Sequence, residues 1–123
     1  MVTYKVWLHA LPMSVSSTIS TGPVRASSYA MRFRRAAYAA VRAHPGVRAS
    51  ALNSEVTRAN QAIYRVLVDA MHVPKSAVVL ITASLSVGGG DPKIADVHVD
   101  ILRRDDALSD EATRAVAAEM VRT

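Results

Sequence analysis

The sequence predicts an α+β domain in which an antiparallel sheet of about four strands carries helices packed on one face. Period-2 alternation of apolar and polar residues recurs towards both ends of the chain, and two stretches between them carry helical spacing. Strands do not alternate singly with helices, which disfavours a doubly wound parallel sheet. With 123 residues, half of them apolar and a fifth charged, the chain is expected to fold as a single domain over residues 1–123 with one core.

Each element follows from local pattern. Tyr4, Val6 and Leu8 alternate with Lys5, Trp7 and His9, as a strand with one buried face does. Pro12 interrupts it, and the Ser/Thr-rich run from Ser14 to Thr21 is a second extended segment or a loop before Gly22 and Pro23. A helix is expected behind Ser27 or Ser28, running through Ala- and Arg-rich sequence to about Ala43 and stopped by His44-Pro45-Gly46. A second helix follows Asn53 or Ser54 to about His72. Val56, Ala59, Ile63, Val66, Leu67 and Ala70 form its core stripe, and Pro74 lies just beyond it. Ala77–Val87 is a strand by its β-branched content, Gly88–Pro92 a turn, and Ile94–Arg104 an alternating strand completing a hairpin. Ser109, with Asp110 and Glu111, is expected to cap a last helix whose seam is Ala112, Val116 and Met120.

Composition narrows the function classes. There is no cysteine, so disulfides, thiolate metal sites and cysteine nucleophiles are excluded, and a cytoplasmic setting is the expectation. No run approaches the length of a membrane span, so no membrane partner is expected. The net charge of +5 is unevenly spread. Residues 1–60 hold one Lys and seven Arg against Glu55 alone, whereas residues 61–123 hold seven basic and nine acidic side chains. An electropositive half points to a polyanionic partner, because cations that neutralise phosphates release condensed counterions.

The first helix carries the most informative pattern. Arg25, Arg32, Arg35 and Arg42 recur at steps of seven, three and seven, with Met31 and Tyr38 near the same stripe, while Phe33, Ala37, Ala40 and Val41 form a separate apolar face. Arginine beside exposed aromatic rings suits single-stranded nucleic acid, since guanidinium pairs with phosphate and a ring stacks on an unpaired base. Trp7, opposite Val6 and Leu8, is a candidate stacking platform or an interface residue. Asp96, His98 and Asp100 share one strand face, but alternate strand residues lie about 7 Å apart and converge on one ion only if the strand bends or another element supplies ligands, so a solvated face without metal is the expectation and metal-dependent hydrolysis there the third reading. Gly88-Gly89-Gly90 lacks the Lys-Ser/Thr of a phosphate loop, and His9, His44, His72 and His98 have no triad pattern. Neither an enzyme nor a cofactor site is expected.

Four segments taken in order, Ser20-Thr21-Gly22, Tyr29–Arg35, Ala59–Val68 and Val97–Arg104, resemble the ThermoDBP-related proteins of archaea. The resemblance spans about residues 4–104. It implies sequence-independent binding of single-stranded DNA, or RNA, by a homodimer or homotetramer whose subunits jointly enclose the strand. The residues onto which it carries are Tyr29, Arg32, Arg34 and Arg35 in the first helix and Asn60 and Tyr64 in the second. With Lys5, Trp7, Arg25, Tyr38 and Arg42 from the charge and aromatic patterns, they make up the candidate nucleic-acid site. The alternative is a structural or regulatory module whose arginine face binds an acidic protein.

Overall fold

The computed structural model describes residues 14–122. Strand β1 (Ser14–Arg25) leads through a 3₁₀ turn into helix α1 (Tyr29–Ala40), a second 3₁₀ turn and helix α2 (Ala49–Tyr64), which continues as π-helix to Ala70. Strands β2 (Val78–Gly88) and β3 (Asp91–Leu102) and helix α3 (Asp106–Arg122) complete the chain. The described sheet has three antiparallel strands in the order β1-β2-β3, with α1 and α2 inserted between β1 and β2. The class is the expected α+β; among the described residues the sheet has three strands, against about four expected. The Ser/Thr-rich run proves to be part of the twelve-residue β1, and the expected strand Tyr4–His9, with Lys5 and Trp7, lies outside the described residues.

The sheet is one-sided. Along β2, Val79, Ile81, Ala83, Leu85 and Val87 are buried in strict alternation, and they meet Ile19 and Val24 of β1 and Ile94 of β3. Helix α1 covers them with Tyr29, Phe33 and Ala37, and α2 with Leu52, Val56, Ala59 and Ile63. Phe33, Ala37 and Val56 have no solvent exposure at all. The opposite sheet face carries no described helix and is largely hydroxylic, with Thr18 and Ser20 of β1 paired to Ser84 and Thr82 of β2.

Two irregularities shape the sheet. At Ser20–Pro23 the β1–β2 register shifts, because Gly22 adopts φ 65° and Pro23 has no N–H to give to a ladder. The buried Thr21 hydroxyl repairs the gap: Oγ1 accepts the Ile81 N–H at 3.0 Å and donates to the Gly22 carbonyl at 2.7 Å. The Ser-Thr-Gly sequence is therefore a built bulge. A second shift falls between Thr82 and Ser84, opposite Asp96, whose φ of 52° marks the extra residue. The β2–β3 turn is tighter than the Gly-Pro cluster suggests. Gly89 and Gly90, at φ 63° and 88°, are its two central residues, and Gly88 already pairs with Asp91.

Helix boundaries move for identifiable reasons. Helix α2 starts at Ala49, a turn before Asn53, because the Arg48 N–H is held by the Gly90 carbonyl at 3.2 Å and Leu52 is buried in the core. Asn53 instead accepts a bond from Arg34. At its far end, the π-helical turns rotate Val66 and Ala70 out of the expected stripe; Val66 is half exposed, whereas Leu67 stays buried. Helix α3 starts at Asp106 rather than near Ser109, because Asp105 caps it by accepting the Leu108 N–H at 3.0 Å. None of the described residues of α3 is buried.

Candidate nucleic-acid interface

Helical geometry sorts the arginines of α1 into three directions. Tyr29, Phe33 and Ala37 face the sheet, so at 3.6 residues per turn the opposite ridge carries Met31, Arg35 and Tyr38, with Arg42 beyond them in the 3₁₀ turn. All four are exposed. Arg35 reaches back along the ridge to the Met31 sulfur at 3.7 Å. Arg32 leans the other way, towards β1, where its guanidinium donates to the Thr21 carbonyl at 3.5 Å. Arg25 is exposed at the end of β1.

Arg34 turns towards α2. It donates to Asn53 Oδ1 at 2.6 Å and to Thr57 Oγ1 at 3.3 Å. None of Arg25, Arg32, Arg34, Arg35 and Arg42 has a carboxylate at ion-pair distance among the described residues, and α1 contains no acid. This surface is positive without local compensation, the condition in which phosphates replace counterions most favourably.

Between α1 and α2 lies an open depression of about 570 Å³, lined by Tyr29, Arg34, Thr57, Asn60, Gln61, Tyr64 and Arg65. Four residues named by the family resemblance thus converge from two helices. Their roles differ. Tyr29 is nearly buried, and its hydroxyl donates to the Asn60 carbonyl at 3.2 Å. Burial first, and the neighbouring Tyr64 second, push its phenol above the ordinary value, so it stays a neutral donor. Asn60 Nδ2 donates to the Ala30 carbonyl at 3.2 Å, while its buried Oδ1 accepts no hydrogen bond. Tyr29 and Asn60 therefore lock α1 to α2 and set the floor of the depression. Tyr64 is half exposed on its rim beside Arg65, which the sequence pattern did not single out.

The charged face of β3 has a different character. His98 Nε2 lies 3.1 Å from Asp100 Oδ1, and Asp96, displaced by the bulge, accepts from Ser84 Oγ at 3.1 Å. These groups partner their neighbours instead of converging. Among the described residues, no group of three or more His, Asp or Glu side chains is placed to hold a metal ion, and no helix is long and apolar enough to cross a membrane.

Fold and site together define a small helix-backed sheet whose outer helical surface is arginine-rich and carries exposed aromatic rings. The model of the ThermoDBP-related family of archaea matches residues 19–93, more than half of the chain, and the chain belongs to that family. The match begins just before the Thr21 bulge and ends at the start of β3. Among solved structures, the chain is similar to apeThermo-DBP-RP2 bound to the single-stranded DNA dT10, with a TM-score of 0.66 and 21% identity over 89% of this chain. It spans only 54% of that neighbour's length. It is also similar to pfuThermo-DBP-RP1, with a TM-score of 0.64 and 23% identity, covering 86% of this chain and 76% of that one. At these identities the likeness establishes the fold. No curated protein matches the chain.

Proposed function

We propose that this domain binds single-stranded nucleic acid without reading sequence, as part of a homo-oligomer and without catalysis. The observation that carries the proposal is the uncompensated arginine surface of α1, continuous with an aromatic-rimmed depression between α1 and α2. A fold neighbour crystallised with single-stranded DNA supports it.

In this reading Arg35 and Arg42 on the ridge, with Arg25 and Arg32 flanking them, contact successive phosphates. Tyr38 and Tyr64 offer their rings to unpaired bases, and Arg34 and Arg65 border the depression. Tyr29 and Asn60 position those elements and do not themselves stack. Guanidinium forks suit phosphate oxygens, and a ring stacked on a base contributes about 1–3 kcal/mol whichever base it meets. Affinity then comes from charge and stacking, neither of which distinguishes sequence.

The test is a fluorescence-anisotropy titration with matched single-stranded DNA, single-stranded RNA and duplex DNA at two salt concentrations. Salt-sensitive binding that is tighter to a single strand than to duplex is expected, and the two single strands rank DNA against RNA. Equal affinity for duplex, or no binding at low salt, contradicts the reading.

A further inference from the structure

The arginine ridge carries one reactive group to which strand binding assigns no part. Met31 stands at the start of the ridge, 64% exposed and one helical turn before Arg35, whose Nη2 lies 3.7 Å from its thioether sulfur. Of the three described methionines it is the one on α1. Met71 lines the aliphatic groove between α2 and β3, and Met120 lies on α3.

A thioether sulfur is a weak hydrogen-bond acceptor, so Arg35 leaves it for a phosphate oxygen at little cost. Oxidation changes that balance. A sulfur lone pair attacks one oxygen of hydrogen peroxide, the O–O bond breaks, and the departing hydroxide takes the proton carried over to sulfur. The sulfur is oxidised by two electrons to the sulfoxide, and the peroxide is reduced to water. The new oxygen is strongly dipolar, a far better acceptor than the sulfur, and it forms where Arg35 already reaches.

We propose that Met31 is an oxidation site that regulates strand binding: hydrogen peroxide converts its thioether to the sulfoxide, which engages the Arg35 guanidinium and withdraws it from phosphate. The inference rests on the strand-binding role of the ridge proposed above. Three features support it. The sulfur is on the solvent side of α1, within reach of a small oxidant. The i, i+4 spacing keeps Met31 and Arg35 adjacent whatever the oxidation state. No acid lies on α1, and Arg35 has no carboxylate partner among the described residues, so nothing there competes with the sulfoxide for the guanidinium. Sulfoxide reductases reverse the step, which makes it a switch rather than a lesion.

The test treats the full chain with hydrogen peroxide, maps the oxidation of each methionine by peptide mass spectrometry, and titrates single-stranded DNA by anisotropy at two salt concentrations. Oxidised wild type is expected to bind about tenfold more weakly, as for a lost hydrogen bond to a charged group, with a salt slope shallower by about 0.7, one phosphate contact. Methionine sulfoxide reductases acting on both epimers are expected to restore both values. Met31→Leu, which keeps every other methionine, is expected to bind equally well before and after oxidation. In Arg35→Gln, already weakened, oxidation is expected to change nothing further, because the effect runs through Arg35. Circular dichroism checks that each sample is folded. Met31 left unoxidised while Met120 reacts overturns the inference, and so does an oxidised Met31 with affinity and slope unchanged. An equal loss in Met31→Leu or Arg35→Gln also overturns it, by placing the effect at another methionine or outside Arg35. No strand binding by the untreated chain is the failure of the ridge reading itself, seen before any oxidant is added, and the inference falls with it.

Discussion

The two flanks of α2 are chemical opposites. Towards α1, the helix presents Thr57, Asn60, Gln61 and Tyr64 to a depression bordered by Arg34 and Arg65; towards β3, it presents Ala59, Ile63 and Val66 to a groove with aliphatic walls. One helix separates a polar, arginine-bordered surface from an aliphatic one. The separation depends on Ala59 and Ile63, which anchor the helix to the sheet between the two flanks. It also depends on the π-helical extension, which turns Val66 outwards while keeping Leu67 in the core.

The largest effect is expected at Leu67, which lines the apolar groove and closes it off from the core. Leu67→Ala removes a side chain 2% exposed and is expected to cost about 2–5 kcal/mol in denaturant unfolding. If the two flanks are independent, single-strand affinity per folded molecule stays unchanged in this variant. Thr21→Val comes next. It leaves the Ile81 N–H without its acceptor at the β1 bulge and is expected to cost about 1–3 kcal/mol by the same measurement. Tyr64→Ala reverses the pattern of Leu67→Ala: it is expected to weaken strand binding by about 1–3 kcal/mol, with unfolding free energy and assembly close to wild type.

The smallest effect is a pH dependence on the apolar flank. Glu55 Oε1 accepts the Ile94 N–H at 2.9 Å, tying α2 to β3 near the head of the groove. The Arg58 hydrogen bond, aided by the Ile94 N–H, holds its carboxyl below the ordinary glutamate range despite partial burial. A carboxyl depressed in the folded state contributes stability that is fully present above its unfolded value, about 4.3, and is lost as pH falls through the lower folded value. Glu55→Gln is therefore expected to flatten the stability profile in that acidic window, measured by thermal unfolding against pH. Its strand affinity at neutral pH is expected to be unaffected.

Much of this was legible in the sequence, and the rest was hidden for physical reasons. The β-branched run Ala77–Val87 and the His44-Pro45-Gly46 stop mark elements that local chemistry alone specifies: the strand falls within a residue of expectation, and the helical turns end at Ala43, the last of them 3₁₀. The starts of α2 and α3 do not, because Leu52 burial and the Asp105 cap outweigh Asn53 and Ser109 as start signals. The family resemblance named Tyr29, Arg34, Asn60 and Tyr64, with Arg32 and Arg35, but which of them converge, and the division into floor and rim, needed the packing of α1 on α2. Arg65, which borders the depression where α2 turns π-helical, was not among the candidates the sequence offered. The apolar groove was half visible: Val97, Val99 and Ile101 alternate as expected, yet nothing local reveals that they meet α2 across an open groove. Lys5 and Trp7 lie outside the described residues and keep only their sequence-based roles.

The central claim, that the positive ridge of α1 engages phosphates, is tested most directly by the salt dependence of oligonucleotide affinity in Arg35→Gln/Arg42→Gln. Both residues are exposed and neither touches the core or the apolar groove, so fold and assembly are expected to persist. If each contacts one phosphate, the slope of log affinity against log salt for a single strand becomes shallower by about 1.4, twice the roughly 0.7 expected per contact. An unchanged slope with unchanged affinity would place the strand elsewhere on the molecule and contradict the account.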